Sequence, residues 1–168
     1  MTGHSAEAAK YLQTAKDMAA KWGPMAKDGD HYRLTFDKPN TWSQKYNLVW
    51  DKLLGLNIFP TEVAKSEIDY YQRMQNKYGL PLDNRSKYTK LDWTVWSATM
   101  ADNDKDFRAL ISPLMAFVNE SPSRAPLSDW FWTHDAKMVG FQARSVVGGV
   151  YIKMLSDPAM WKKWAKMK

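Results

Sequence analysis

Apolar residues recur along this chain at intervals of three and four, and that period predicts helices almost throughout. Over residues 5–22, Tyr11, Ala15, Met18 and Trp22 fall on one stripe, with Gly23-Pro24 as its end. Residues 44–54 turn Tyr46, Val49, Trp50 and Leu53 inward, and Gly55 is the stop. A third helix is predicted over 62–77, where Ala64, Ile68, Tyr71, Gln75 and Tyr78 share a face and Gly79 supplies a left-handed terminator. A fourth spans 90–101. The fifth begins after Asn103, carries Phe107, Leu110, Leu114 and Val118 on one side, and meets Pro113 in mid-pattern, which predicts a kink or break. Phe141, Ser145, Gly148, Ile152 and Leu155 align as a sixth, whose Gly148-Gly149 pair predicts close approach of another backbone. Asp157-Pro158 opens a last helix bearing Trp161 and Trp164. Only residues 31–36 alternate as a strand does.

The pattern gives an all-α class: helical hairpins, with short and long connections in turn, in a single domain over residues 1–168. The long connections precede the fourth and sixth helices. Hairpins stacked side by side bring both to one end of the fold.

Composition narrows the function. The chain has 168 residues, 14% of them aromatic, with nine Trp and ten Met. That is enough apolar area for a real core, so disorder is excluded. It has no Cys, which removes disulfides, thiolate metal sites and a Cys nucleophile. The net charge of +6 is spread among interleaved acids and bases, except in the tail KKWAKMK. Without clustering on one face, no nucleic-acid partner is expected. No apolar run reaches the length of a membrane span, and the N-terminus lacks a signal-peptide pattern. If a longer parent protein is exported, its signal lies outside this chain. The three His have no metal-ligand spacing, and neither metal nor cofactor is implied. There is no Ser-x-x-Lys, Gly-x-Ser-x-Gly or His-Glu-x-x-His motif, and no phosphate-binding glycine loop.

The chemistry-bearing residues gather in GLPLDNRSKYTKLDWTVW, residues 79–96. Pro81 and Asn84 mark a turn, and Thr89 with Asp92 has the form of a capping box at a helix start. Asp83 and Asp92 are candidates for acid/base work, with Asp129 as a third carboxylate. Each has an alternative role, in ordering a turn or capping a helix. Arg85 and Arg144 are candidates for gripping a carboxylate bidentately, or for ion pairs with these aspartates. Tyr88, Lys90, Trp93, Trp96 and Trp130 complete the substrate-binding candidates. Aromatic faces beside carboxylates suit a sugar, although Trp93 and Trp96 also have core spacing. If the fourth and sixth helices run parallel, Asp92 and Asp129 converge to within about 10 Å.

Three ordered motifs carry a family resemblance: TWSQKYNLVWDKLLGLNIFP, YGLPLDNRSKYTKLDWTVW and PLSDWFWTHDAKMVGFQARSVVGG. They resemble the C-terminal region of the glutaminase A family, from His31 to Leu155. The family's forms are close to PLDSR-x-x-YTKSDW and SDWY-D/E-T. Here Asn84 and Leu91 each replace Ser, and Trp132 stands where an acid often sits. The resemblance implies part of an (α/α)6 toroid in a secreted hydrolase that converts glutamine to glutamate and ammonia. A closed ring has about twelve helices, so the N-terminal remainder of a longer parent is the implied partner, and the chain alone is expected to be inactive. Two other classes stay open: part of a carbohydrate-active toroid acting on a glycan, and a non-catalytic binding module.

Overall fold

The structure, a computed structural model, describes residues 3–167. Helix α1 (Ser5–Ala26) leads into a two-stranded turn, in which β1 (Lys27–Asp28) pairs antiparallel with β2 (His31–Tyr32). A 3₁₀ turn (Tyr46–Leu48) runs into α2 (Val49–Leu54), and α3 (Thr61–Met74) follows. Then come β3 (Tyr88–Lys90), α4 (Leu91–Thr99), α5 (Asp104–Glu120) and β4 (Trp130–Trp132). A 3₁₀ helix (Ser145–Ser156) and α6 (Pro158–Ala165) close the described chain. It is a helical hairpin fold with two very small ribbons, as the apolar period predicts.

One core joins α3, α4 and α5. Tyr71, Leu80, Leu110 and Phe117 are fully buried in it, and Phe117 stacks on Phe131 of β4. Its polar centre is the buried Gln44. The Gln44 amide donates to the Leu80 and Pro81 carbonyls and the Thr89 and Thr94 hydroxyls, and its Oε1 accepts from Ser97 at 2.9 Å. One side chain thus ties the segment before the 3₁₀ turn to a loop, a strand and a helix. Such a network stays buried only because its members are satisfied.

Several local expectations are corrected. Helix α1 continues through Gly23-Pro24, because a proline in the last turn removes only one bond and Lys27 N–H still reaches Gly23 O. Its predicted inward stripe is exposed at Tyr11 (64%) and Met18 (66%), and Ala19 and Ala26 are buried instead. Within residues 31–36 only His31 and Tyr32 pair as strand. Helix α3 stops at Met74, with Gln75 extended. Gly79 is therefore not its terminator. It has φ +124° and lies where an added Cβ would come within 2.9 Å of Leu114 Cδ2.

Pro113 does not end α5. It leaves the Ala109 carbonyl without its usual donor, and the Gln75 amide supplies one at 3.1 Å. Thr89 caps nothing: it lies in β3 with its hydroxyl bonded to Thr94, and the N-cap position of α4 falls on Lys90 without a side-chain bond. The sixth helix is 3₁₀ rather than α, in a stretch whose Val-Val-Gly-Gly-Val run disfavours the wider turn. Asp157 does cap α6, accepting from Ala159 and Met160 N–H.

Gly149 is closely approached, though by the side chains of Asp92 and Trp96 rather than by another backbone, whereas Gly148 meets nothing. A Cβ on Gly149 would lie 2.9 Å from Asp92 Cβ and 3.1 Å from Trp96 Nε1. Gly149→Ala is expected to cost about 1–3 kcal/mol by overpacking. Gly148→Ala is expected to leave stability unchanged or slightly raised. Thermal unfolding of the two variants side by side checks this.

Candidate functional site

The site is built where the β3–β4 ribbon meets α4. The strands are antiparallel, with Tyr88 opposite Trp132, Thr89 opposite Phe131 and Lys90 opposite Trp130. Strand β3 passes into α4 without a loop. Lys90 therefore ends the strand and Asp92 stands in the helix's first turn. Asp129 immediately precedes β4, and its carbonyl accepts Leu91 N–H at 2.7 Å. The ribbon was missed from sequence because three residues are too few to show a period.

Asp129 has no solvent access. Arg144, just ahead of the 3₁₀ helix, places Nε 3.0 Å from its Oδ1 and bonds its Oδ2 through Nη2. Lys90 Nζ reaches the same Oδ2 at 3.3 Å and lies 4.2 Å from the centre of the Trp130 ring. Burial alone would push the Asp129 carboxyl up, but Arg144 and Lys90 bring it below the ordinary carboxylate value. Burial lowers the Lys90 ammonium, against the pull of Asp129.

Asp92 is the opposite case. It is buried at 5% exposure, and among the described residues its Oδ1 has no hydrogen-bond partner. Burial raises its carboxyl above the ordinary value, the Asp129 charge adds to the rise, and the first-turn N–H groups of Asp92 and Trp93 oppose it. The floor beneath it is Gly149, whose carbonyl accepts from Trp96 Nε1 at 3.0 Å. Trp93 stacks on Tyr46 with ring centres 4.3 Å apart.

The structure therefore brings Lys90, Asp92, Asp129, Trp130 and Arg144 together, with Trp93 and Trp96 as walls. Tyr88 packs edge-on against Trp130 and Trp132 across the ribbon. Asp83 and Arg85 stand apart, sharing no hydrogen bond with Asp92 or Asp129. The Arg85 backbone N–H and Nε donate to Asp83 Oδ1, and Nη2 donates to Oδ2. The sequence did not single out Gln44 or Tyr46 for this region. No residue spacing announces either, because both come from the segment before α2. Among the described residues no His, Asp or Glu group could hold a metal ion, and no helix is long and apolar enough to cross a membrane.

A helical hairpin domain with a buried, split carboxylate pair is the class these observations define. The family model for the glutaminase A six helical-hairpin domain matches residues 1–154, and the chain belongs to that family. Glutaminase A of Aspergillus oryzae (strain ATCC 42149 / RIB 40) is 32% identical over 162 residues, covering 92% of this chain and 23% of that protein. A protein of Arthroderma benhamiae (strain ATCC MYA-4681 / CBS 112371) that carries the name of a probable glutaminase is 30% identical, covering 89% of this chain and 21% of its own length. The chain spans less than a quarter of the length of these relatives. No solved structure matches it with significance.

The two carboxylates should respond oppositely to amidation. Asp92, with its raised folded pKa, carries a burial cost that is present above that pKa and fades as pH falls toward the ordinary 3.8. Asp92→Asn is therefore expected to raise the melting temperature at pH 7, with the gain shrinking in acid. Asp129 contributes stability above its unfolded pKa and loses it as pH falls through its lowered folded value. Asp129→Asn leaves Lys90 without its partner while Arg144 keeps access to water, and is expected to cost about 1–3 kcal/mol at pH 7. Melting curves between pH 3 and 7 test both.

Proposed function

We propose that this chain carries the acid/base carboxylates of a glutaminase A-like amide hydrolase whose ring of hairpins is completed by the remainder of a longer protein. The observation that carries the proposal is Asp92: a buried carboxyl with one unpartnered oxygen and a raised pKa, beside a second carboxyl held ionised. Two carboxyls whose surroundings push their pKa values apart are suited to separate roles.

In this mechanism Asp92 takes a proton from water as the water attacks the side-chain amide carbon. It then returns the proton to the departing nitrogen as the C–N bond breaks, leaving a carboxylic acid and ammonia. Asp129 positions Lys90 and Arg144. Lys90, with one ammonium proton on Asp129, is the donor for the oxygen that becomes negative. The first-turn N–H groups of α4 add a positive field. Arg144 has its fork occupied by Asp129, so it orients that carboxylate rather than gripping substrate. Because Trp132 stands at the family's acid position and faces Tyr88, the pair in this proposal is Asp92 and Asp129 alone.

The carbohydrate alternative has less support. A sugar needs an open indole face, but Trp93 is stacked on Tyr46, and Trp130 lies between Lys90 and Phe141. Both ends of the chain expose apolar side chains: Tyr11, Met18 and Met25 on α1, and Tyr151, Met154, Trp161 and Trp164 near the other terminus. These surfaces suit contact with further hairpins.

Ammonia release from glutamine tests the proposal. The chain alone is expected to give none. The full-length parent is expected to turn over, and Asp92→Asn in it should lower kcat about 10²–10⁴-fold without lowering its melting temperature. Full activity in that variant would refute the assignment. A parent that hydrolyses a glycan panel but not glutamine would shift the site to the carbohydrate class.

A further inference from the structure

Asp83 and Arg85 do not face the carboxylate pair. They form one wall of a cavity of about 380 Å³, set between the end of α1, residues 43–48 and Phe59. A volume of this size holds a small organic molecule.

Its lining has a definite chemistry. The charged groups are Lys45, Arg85 and Asp83, two cations against one anion. Lys45 is saturated: its ammonium donates to Tyr32 O, Ser43 O and Ser43 Oγ at 3.0–3.1 Å. It contributes field and not a free proton. Asp83 is paired as well, since both oxygens accept from Arg85. Arg85 is different. Asp83 fixes its Nε and Nη2 edge, but Nη1 makes no hydrogen bond among the described residues, and the side chain is 67% exposed. A guanidinium oriented from behind with an open donor edge is an anion grip with little ordering left to do.

The opposite wall is apolar. Trp22 and Phe59 meet edge to face, with ring centres 5.4 Å apart at 89°. Leu34 and Leu48 add to the apolar lining. A flat or branched apolar body fits there while its charged end lies toward Arg85.

We propose that this cavity binds an organic monocarboxylate with an apolar or aromatic body, its carboxylate on Arg85 and its body in the Trp22–Phe59 corner. Such a group occurs on a free acid and at the C-terminus of a peptide. The cavity shares Tyr46 with the surroundings of Asp92 but none of the charged groups of the amide-hydrolysing centre, and it is read out by binding rather than turnover, so it stands or falls apart from that proposal.

The test is calorimetric titration of the chain with N-acetylphenylalanine, with its neutral amide, and with a pentapeptide ending in phenylalanine. The acid is expected to bind about tenfold or more tightly than the amide, because only the acid makes the charge-assisted bond. Arg85→Gln should remove that preference. Leu34→Trp, which fills the apolar corner, should remove binding of both, with an unchanged circular dichroism spectrum showing that each variant is folded. A pentapeptide that binds like the acid identifies peptide termini as the source, and one that is excluded identifies small free acids. Equal affinity for acid and amide, an Arg85→Gln variant that keeps the preference, or no binding of any probe at millimolar concentration would overturn the proposal.

Discussion

A carboxylate with no access to water stays ionised only if cations and donors surround it, and Asp129 imposes that demand on its neighbourhood. Arg144 answers it from the start of the 3₁₀ helix and Lys90 from the end of β3. Two chain segments distant in sequence are thereby pulled onto the residue that precedes β4. The Asp129 carbonyl also takes the first N–H of α4, which sets where that helix begins. The position of Asp92 follows, one residue into the helix and over the bare backbone of Gly149. The unpartnered oxygen of Asp92 is left by this construction: the nearby cations are committed to Asp129, and Tyr46 supplies only a wall.

Much of the helical framework was legible in the sequence because α3 and α5 have one apolar and one polar face, and α6 has its Asp-Pro start. What escaped notice depends on partners far along the chain. Pro113 reads as a breaker, and it is tolerated because Gln75 serves the orphaned carbonyl of Ala109, 34 residues further along the chain. Thr89 reads as a cap, yet Gln44 draws its hydroxyl into a buried network. The stripe on α1 has the right period, but Tyr11 and Met18 on it are exposed, and Trp22 at its end is the residue that packs, on Tyr32 and Phe59.

The candidate site was half legible for a similar reason. Residue type and motif position marked Asp92, Asp129, Lys90 and Arg144. The sequence left Arg144 open between a ligand grip and an ion pair with one of the aspartates, because it could not say which charges neutralise one another, and the structure pairs it with Asp129. Asp83 and Arg85 lie close to Asp92 in sequence, yet they line a cavity in which Asp92 takes no part. The departure of β3 from the turn at residues 83–86 separates them.

The β3–β4 ribbon also sets a topological demand on folding. Its two strands are separated by the whole of α4 and α5, so the ribbon is a non-local pairing that forms only after the intervening loop has closed. Helices α4 and α5 are local and contact each other directly, and their docking shortens the loop that the ribbon must close. Lys90 reaches Asp129 only through that pairing, whereas Arg144 comes from the segment after β4. The charge cluster therefore clasps three segments that the chain keeps apart by the length of two helices and a loop.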